Sequence, residues 1–356
     1  MQGLGDRRHH APPLPAVVSA RPLSHLVPAG ADDALDRAGQ PHLFDRIGWL
    51  ETLHRLCMPG STPHVLHAQE DGAQAWLFLA DPGGDGSAPR RTAIANYYSF
   101  AFRPIFVGHP DADQRVHLVQ SIAQDLGREV ARVDMFPVPD DDGTAALLLS
   151  AFRKAGWIAV SRPMGVNHYL EVGGRDFATY WAERPGALRN TVRRKQRDTG
   201  LTFSVHDSLT DALWEDYITV YRRSWKPSEP GLDFLRSIAE QEGRAGTLRL
   251  GFARDHGHPV ATQFWTVENG VALIHKLAHD QGADDASPGT LLSHFLFRHA
   301  IDQDRVAIID YGTGDNGYKT GWMDRQRPLQ RVDCFNPRFS STWLPAARTA
   351  ISKLIG

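Results

Sequence analysis

The order of helix and strand patterns repeats once along the 356-residue chain, and this repeat constrains the fold more than any other feature. In the first half, two strand-like runs flank Asp71-Gly72, a pair typical of a tight hairpin turn. In the second half, two more strand-like runs flank Asn269-Gly270 in the same way. Each hairpin is followed by a helical pattern and a further strand. We therefore predict an α+β fold in which the same topology occurs twice, each time as a mixed, mostly antiparallel sheet flanked by helices.

Changes in composition predict where the two units begin and end. The first 35 residues are rich in Pro, Ala, His and Arg, which is typical of a loose N-terminal tail. From residue 176 the chain becomes polar and basic before the second set of strands begins. We expect an N-terminal domain at 36–175 and a C-terminal domain at 176–356.

Composition also limits the class of protein. A hydrophobic content of 42% and a charged content of 22% are typical of a globular protein. A formal charge of -2 argues against a basic, DNA-coating protein, and no apolar run reaches the roughly 20 residues of a membrane span. The two cysteines, Cys57 and Cys334, match no metal or redox spacing. We predict no metal site, and the lack of a secretory apolar segment predicts a cytoplasmic location.

A glycine-rich stretch near the C-terminus, GTGDNG at 312–317, has the spacing of a dinucleotide-binding fingerprint. Such a fingerprint works only when its glycine turn opens a helix and a further parallel strand follows. Gly321 and Pro328 interrupt any helix here, so neither a dinucleotide site nor a P-loop fits. The glycines still indicate close backbone approach to a ligand. A surface loop in which Asp310 caps its own turn is the alternative.

A better candidate for binding phosphate is the helix start SPGTL at 287–291. Ser287 predicts an N-cap and Pro288 fits the first helical position. The free amides of Gly289, Thr290 and Leu291 would then face outward at the positive end of the helix dipole, which attracts anions. The alternative is a well-formed helix start with no ligand, and the aspartates of the preceding loop would repel a phosphate.

These elements occur together in a known family. Between residues 247 and 322 a hairpin is followed by the helix start and then by a strand that ends in D-x-G-x-G-x-x-x-Y-K. This order resembles the BioF2-like acetyltransferase domain of the GNAT superfamily, a group that includes cellulose-biosynthesis-associated acetyltransferases and is related to Fem-type peptidoglycan-bridge transferases. The residues that match are Ser287, Pro288, Gly289, Asp310, Gly312, Gly314, Tyr318 and Lys319. Fem-type proteins consist of two GNAT-like halves, so the resemblance implies tandem GNAT-like domains.

The resemblance implies an N-acyltransferase that moves an acyl group from acetyl-CoA or another acyl-CoA to the amine of a small molecule or amino sugar. The chain departs from ordinary GNAT enzymes because Ser-Pro-Gly-Thr replaces their glycine-rich pyrophosphate loop. One alternative is a Fem-like transferase that takes its acyl group from aminoacyl-tRNA, in which case tRNA becomes a partner. The lack of a long heptad-rich insertion favours acyl-CoA. A non-catalytic, GNAT-like ligand-binding protein is the other alternative.

Direct attack of an amine on a thioester needs a base, donors for the oxyanion and an acid for the leaving thiolate. The predicted catalytic residues are His275, Asp310 and Tyr318. The predicted cofactor-binding residues are Ser287, Gly289, Thr290 and Leu291. The predicted substrate-binding residues are Trp225, Gln263, Trp265, Lys276, Lys319 and Trp322. For His275 and for each tryptophan, ordinary core packing is the alternative.

A basic segment at 189–197, RNTVRRKQR, precedes the second unit and resembles a basic segment of the same family. It carries five positive charges, contributed by Arg189, Arg193, Arg194, Lys195 and Arg197. A solvated helix face is one interpretation, and contact with an anionic donor or with RNA is the other.

Overall fold

The computed structural model describes residues 23–27, 31–83, 88–197 and 200–355. Most of the predicted tail lies outside these residues. Two leucines within it, Leu23 and Leu35, are buried in the core, so that part of the predicted tail is packed rather than loose.

The described residues form one sheet of twelve strands. The order across the sheet is β1-β2-β3-β5-β12-β6-β11-β10-β9-β8-β7, and β4 pairs with β2. The strands are β1 (Thr62–Glu70), β2 (Ala73–Asp81), β3 (Arg90–Ala93), β4 (Ile105–Val107), β5 (Arg132–Pro139), β6 (Ile158–Glu171), β7 (Thr202–His206), β8 (Leu248–Asp255), β9 (His258–Glu268), β10 (Val271–His279), β11 (Ile308–Thr313) and β12 (Arg325–Phe335).

Helices cover the sheet on both faces. They are α1 (Asp32–Leu35), α2 (Ile47–Cys57), α3 (Ala112–Leu126), α4 (Thr144–Lys154), α5 (Phe177–Ala182), α6 (Gly186–Arg197), α7 (Asp211–Arg222), α8 (Leu232–Arg244), α9 (Pro288–Arg298) and α10 (Trp343–Ile355). The helix predicted at 288–303 is α-helical only to Arg298, and a π turn at His299–Gln303 completes it. A 3-10 turn at Gly317–Gly321 holds the end of the glycine-rich stretch.

Both predicted hairpins are confirmed. Asp71 and Gly72 have φ values of 48° and 80° between the antiparallel strands β1 and β2. Asn269 and Gly270 have φ values of 50° and 74° between β9 and β10. Two successive residues with positive φ give the turn that matches the twist of the flanking strands, which explains the preference for Asp-Gly and Asn-Gly.

The repeated topology is also confirmed. Each half contains a parallel pair of strands joined across a helix. In the first half β3, which follows the hairpin strand β2, is parallel to β5. In the second half the hairpin strand β10 is itself parallel to β11. The crossover helices are α3 and α9. The other strand pairs in the described sheet are antiparallel. The predicted fold class, two α+β units in tandem with mixed, mostly antiparallel sheets, therefore holds.

Strand β12 was not predicted, and it joins the two halves. It lies between β5 and β6, so the last strand of the chain completes the sheet of the first half. Strand β6 is 14 residues long and pairs with both β12 and β11. The sequence pattern predicts two separate strands in this region. The sheet therefore continues without a break across the predicted boundary at 175/176.

The largest apolar cluster lies between the halves. It includes Trp49 of α2, Phe100 from the loop after β3, Phe234 of α8 and Phe264 of β9. The ring centroids of Trp49 and Phe234 are 5.2 Å apart in an edge-to-face arrangement, which aromatic pairs favour. Residues of the first half thus cover one face of the second half's sheet.

The position of β12 predicts the effect of a mutation near the C-terminus. The Phe335 side chain is fully buried against the first half. We expect Phe335→Ala to lower the free energy of unfolding by about 4 kcal/mol, because it removes a buried aromatic ring and leaves a cavity. Leu344→Ala, at a side chain that is 70% exposed, is the control and should change it by less than about 0.5 kcal/mol. Urea denaturation measures the free energy of unfolding of each variant. An equal decrease in the two variants would contradict this position for β12.

Candidate functional site

The parallel strands β10 and β11 are paired over only three residues each. The pairs join 271–273 to 308–310, and beyond them the two strands separate. Strand β10 continues to His279 and β11 to Thr313. We call the space between 275–279 and 311–313 the divergence cleft. It opens next to the start of α9, because that helix follows β10 along the chain.

A β-bulge marks the point where β10 leaves its partner. Ile274 pairs with Trp265 of β9 and Lys276 pairs with Phe264, so His275 is the extra residue. A bulge leaves the backbone groups of the extra residue outside the regular ladder and redirects the side chains that follow. The bulge therefore changes the direction of β10 next to the divergence cleft.

The start of α9 differs in part from the prediction. Pro288 occupies the first helical position as expected, but Ser287 has a φ of 52° and its side chain forms no cap. The amide of Leu291 donates to the Ser287 carbonyl at 3.1 Å, so it is not free as predicted. The amides of Gly289 and Thr290 have no hydrogen-bond acceptor among the described residues. Two free amides thus remain at the positive end of the helix.

Two of the aspartates before α9 have a nitrogen-bearing side chain beside them. Asp280 lies 3.5 Å from the Arg223 guanidinium, and Asp284 lies 2.8 Å from Nε2 of His279. The His279 ring also packs against the helix start, since a Cβ atom on Gly289 would lie 2.9 Å from its Nδ1. Because Arg223 is positively charged, the expected repulsion of a phosphate is smaller than the sequence indicates. The His279 ring lies next to Gly289, whose amide is one of the two free amides.

The basic helix α6 lies beside this loop. Lys195 donates a hydrogen bond to the Asp285 carbonyl, and Gln196 contacts His294 of α9 at 3.4 Å. A groove of about 400 Å³ runs between Arg194 and Asp285. Arg194 and Arg197 have no carboxylate partner in the part of the chain that the structure describes. Unpaired guanidinium groups therefore border the phosphate-accessible end of α9.

A buried carboxylate, Glu229, binds Lys276 of β10 at the edge of the divergence cleft. Glu229, in the loop between α7 and α8, accepts hydrogen bonds from Lys276 at 2.6 Å, Tyr97 at 3.0 Å and Tyr221 at 3.1 Å, and another from Tyr98. Burial alone would raise the pKa of Glu229, but the bonds from Lys276 and Tyr98 hold it below its usual value. Glu229 is therefore ionised and fixes Lys276 in place.

Two further lysines border the same region. Burial, together with the nearby charge of Lys276, lowers the pKa of Lys226 to about 8. Burial lowers the pKa of Lys319 to about 8 as well, against the attraction of Asp310. Lys226 also senses the charge of Lys319, so three ammonium groups lie within electrostatic range of one another. Nζ of Lys319 donates to two backbone carbonyls of the glycine-rich stretch, at 3.2 and 2.8 Å, and this fixes the loop.

His275, one of the predicted catalytic residues, lies among aromatic rings. Its ring centroid is 5.5 Å from that of Phe100 and 5.1 Å from that of Phe264, and its Nε2 lies 2.9 Å from Oγ1 of Thr266. Burial, with a smaller contribution from Lys276, lowers the pKa of His275 to about 3. The imidazole is neutral at physiological pH, which makes it a weak acceptor for the proton of an ammonium group.

Asp310 and Tyr318, the other predicted catalytic residues, lie apart. Asp310 is buried, accepts a hydrogen bond from the Gly312 amide at 2.8 Å and lies 3.2 Å from Arg327. Burial raises the pKa of Asp310. Tyr318 is 50% exposed and its ring meets the edge of Tyr311, which points to the opposite face of β11 from Asp310. The three residues therefore do not form one hydrogen-bonded constellation.

Three of the predicted substrate-binding residues lie in the core instead of a pocket wall. Gln263 and Trp265 are each 1% exposed and hydrogen-bond to each other at 2.8 Å, while Trp322 is 5% exposed. These side chains pack under α9, because an aromatic strand face next to a helix is more readily buried than left open. Trp225, at 49% exposure, borders the cleft with its ring 4.5 Å from that of His279.

Sequence reasoning missed Tyr97, Tyr98, Tyr221, Lys226 and Glu229. Glu229 was detectable as a single carboxylate in the proline-rich loop KPSEPG between two helical patterns. Its tyrosine partners at 97 and 98 come from the other half, 132 and 131 residues away in sequence. Such contacts depend on the tertiary structure, and no local sequence pattern predicts them.

Comparison with protein families finds a similar domain over part of the chain. Residues 184–320 match a family model described as "Acetyltransferase (GNAT) domain". The chain contains a GNAT-type acetyltransferase domain. The matched range holds α9, the divergence cleft, Glu229 with its partners Tyr221 and Lys276, and Lys319. Tyr97, Tyr98, β6 and β12 lie outside it. A search of curated proteins finds no significant match.

Solved structures show the same fold over both halves. FemX has a TM-score of 0.59 at 10% identity and covers 83% of this chain and 93% of its own. L-PGS from Bacillus licheniformis has a TM-score of 0.54 at 11% identity, with coverages of 87% and 92%. The C-terminal domain of a putative lysylphosphatidylglycerol synthetase from Agrobacterium fabrum has a TM-score of 0.52 at 15% identity, with coverages of 84% and 91%. Identities this low show the fold alone, and the assignment to the BioF2-like group stays a prediction.

Two searches of the described residues concern other classes of site. None of the helices placed by the structure is long and apolar enough to cross a membrane. Over the same residues, no group of His, Cys, Asp and Glu side chains is arranged to hold a metal ion.

The buried ion pair of the GNAT domain predicts a stability effect. The side chains of Glu229 and Lys276 are 3% and 14% exposed. We expect Glu229→Gln to lower the free energy of unfolding by about 3 kcal/mol, because it leaves a buried ammonium without its counter-charge. The control is Glu240→Gln, which breaks a surface pair with Arg236 and should cost less than about 1 kcal/mol. If urea denaturation gave the two variants similar stabilities, Glu229 would not have this role.

Proposed function

We propose that the protein is an N-acyltransferase that moves an acyl group from acyl-CoA to the amine of a small molecule by direct attack. The observation that carries the proposal is the divergence cleft, which combines a bulged strand with an uncapped helix start inside the GNAT domain. An acyl thioester needs a slot for its extended chain, amides for its phosphates and polar groups at its carbonyl. In this proposal the space between β10 and β11 holds the acyl chain, and the amides at the start of α9 hold the phosphates.

The two halves differ at the equivalent helix start, and this difference supports a donor site in the second half. In the first half, α3 begins with a complete capping box: Asp111 accepts from the Gln114 amide at 2.9 Å, and the Gln114 side chain accepts from the Asp111 amide at 3.1 Å. A carboxylate already occupies that helix end. The start of α9 has no side-chain cap, so Gly289 and Thr290 remain available to a phosphate.

Basic groups next to α9 fit the remaining phosphates of coenzyme A. Arg194 and Lys195 line a groove beside Asp285 and Ala286, just before the helix start, and Arg223 lies beside Asp280 of the same loop. These cations offset the acidic loop and supply charge-assisted donors. We assign the diphosphate to the amides of Gly289 and Thr290 and the terminal phosphate to the groove.

The chemistry proposed for the cleft is one addition and one elimination. The amine nitrogen forms a bond to the thioester carbonyl carbon, the C–S bond then breaks, and the products are an amide and free thiol. Backbone amides freed by the bulge at His275 stabilise the oxyanion. Asp310 is the proposed base, because its raised pKa brings it nearer to neutral pH. No acid is assigned for the leaving thiolate, because Tyr318 contacts Tyr311 on the opposite face of β11 from Asp310.

Titration of the protein with acetyl-CoA tests the donor site. We expect saturable binding by isothermal titration calorimetry and at least tenfold weaker binding in Gly289→Val, because its side chain would push into His279 and cover the free amides. The control is Gly186→Val at the start of α6, where a Cβ atom meets nothing within 4 Å. No binding of acetyl-CoA at millimolar concentration would refute the donor assignment.

A second donor, aminoacyl-tRNA, is favoured by one observation. The helix α6 presents Arg193, Arg194 and Arg197 to solvent beside the donor end of the cleft. Clustered guanidinium groups bind a phosphate backbone and release its counterions, which makes such binding strongly dependent on salt. Coenzyme A needs fewer of these charges than an RNA does.

Charge reversal distinguishes the two donors. If tRNA is the donor, the double variant Arg194→Glu/Arg197→Glu should bind tRNA at least tenfold more weakly in a filter-binding assay at low salt. Arg128→Glu, at a side chain that is 75% exposed on the first half, should leave binding unchanged. Equal tRNA binding by the wild type and the double variant removes the second donor and leaves acyl-CoA.

A further inference from the structure

Four arginines surround two acids on one face of the first half's sheet. Asp134 of β5 and Asp333 of β12 lie directly opposite each other in the register, and both are fully buried. Their neighbours Val133 and Cys334 point to the other face, into the apolar cluster under α3 and α4. The arginines come from four adjacent strands. They are Arg90 of β3, Arg132 of β5, Arg331 of β12 and Arg162 of β6, and we call them the arginine cluster.

Each guanidinium of the arginine cluster uses one edge to bind the acids. Nε and Nη2 of Arg90 lie 2.6 and 2.5 Å from the Asp134 carboxylate. The same two atoms of Arg162 lie 2.9 and 2.6 Å from the Asp333 carboxylate. The other two arginines bridge both acids with the same pair of atoms, at 2.7 to 3.5 Å. Because the two acids also hydrogen-bond to each other, the four guanidinium groups form one compact group.

The third nitrogen of each of these guanidinium groups, Nη1, has no hydrogen-bond acceptor among the described residues. The four Nη1 atoms are not among the buried nitrogens that lack a partner, and the side chains are 25% to 42% exposed. A guanidinium carries five N–H donors arranged as a planar fork. Each arginine of the cluster therefore presents a second, unused edge to solvent.

The arginine cluster carries more positive charge than the two acids can balance. Arginine stays protonated in proteins, so four positive charges face at most two negative ones. No other carboxylate of the described residues lies within 4 Å of these guanidinium groups. Two guanidinium groups would be enough to neutralise the buried acids, and the other two add repulsion between like charges. At least two positive charges thus remain without a counter-charge on the side that faces solvent.

Aromatic rings hold two of the arginines in place. The guanidinium carbon of Arg132 lies 5.0 Å from the ring centroid of Phe335, and that of Arg331 lies 4.7 Å from the ring centroid of Phe136. Both arrangements are favourable cation–π contacts. Side chains that are already fixed lose little conformational entropy when a ligand binds, which favours binding.

We infer that the arginine cluster binds a small molecule whose phosphate groups carry at least two negative charges. The phosphate oxygens accept hydrogen bonds from the unused guanidinium edges, and their charge balances the excess positive charge. A single carboxylate carries only one charge and would leave part of that excess. The four arginines and both acids lie outside residues 184–320, which match the GNAT domain, so this site is separate from the proposed donor site at α9. The inference does not depend on the proposed function.

Titration of the full chain with inorganic pyrophosphate tests the inference. Isothermal titration calorimetry at low ionic strength is performed on the wild type and on Gly289→Val, in which the start of α9 is covered. We expect saturable binding to both. Adding Arg90→Gln and Arg162→Gln to either protein should weaken binding at least tenfold, because this removes the two excess charges. The other two arginines still bridge both acids in that double variant, which keeps the buried carboxylates paired.

A matched control removes two positive charges elsewhere. Arg128→Gln/Arg244→Gln changes side chains that are 75% and 74% exposed, and it should alter pyrophosphate affinity less than twofold. An equal loss of affinity in the two double variants would overturn the inference, since only the net charge of the protein would then matter. No binding of pyrophosphate at millimolar concentration would overturn it as well.

A third variant decides if Arg90→Gln/Arg162→Gln fails to fold. Burial alone would raise the pKa of Asp333, but hydrogen bonds from Asp134 and the arginines hold it at about 2, so this acid is ionised. Asp333→Asn therefore adds one positive charge to the excess, and pyrophosphate must bind more tightly. Unchanged or weaker binding would overturn the inference. Co-sedimentation with phosphatidylglycerol vesicles in the absence of pyrophosphate binding would also overturn it, because the cluster would then face a membrane surface instead of a small molecule.

Discussion

The backbone hydrogen bonds of β6 hold the rest of the structure in register. This strand, Ile158–Glu171, pairs with β12 along most of its length and with β11 at its end, so it belongs to the sheets of both halves. A strand shared in this way fixes the position of one half relative to the other, because a slip of one residue would turn every side chain to the wrong face. The return of β12 into the first half adds a second backbone connection.

This continuous sheet lets the first half build part of a site that belongs to the second. Phe44 and Phe100 reach the face of β10, and Tyr97 and Tyr98 reach Glu229. The first half repeats the topology of the second, yet its own helix start is closed by the Asp111 carboxylate. We propose that the second half binds the acyl donor and that the first half covers one face of the second half's sheet.

Local patterns in the sequence were sufficient for the hairpins, the crossover helices and the repeat. Asp-Gly and Asn-Gly turns and amphipathic helices depend on residues close in sequence. Strand β12 was not predicted because Pro328 lies inside it and its partners are distant in sequence. Asp333 pairs with Val160 and Asp134, which lie 173 and 199 residues upstream. Lys276 and Asp310 were identified as polar groups on apolar strands, but their partners Glu229 and Arg327 come from other elements. Trp265 and Trp322 are buried rather than in a pocket wall, because residue type alone does not distinguish a core ring from a pocket wall.

The most direct test of the central claim, that the second half holds the donor, is a crystal structure with coenzyme A bound. The account predicts that the pantetheine arm lies between β10 and β11, with the diphosphate at the amides of Gly289 and Thr290. Coenzyme A bound instead between β3 and β5, where the first half has its own parallel pair, would contradict the account.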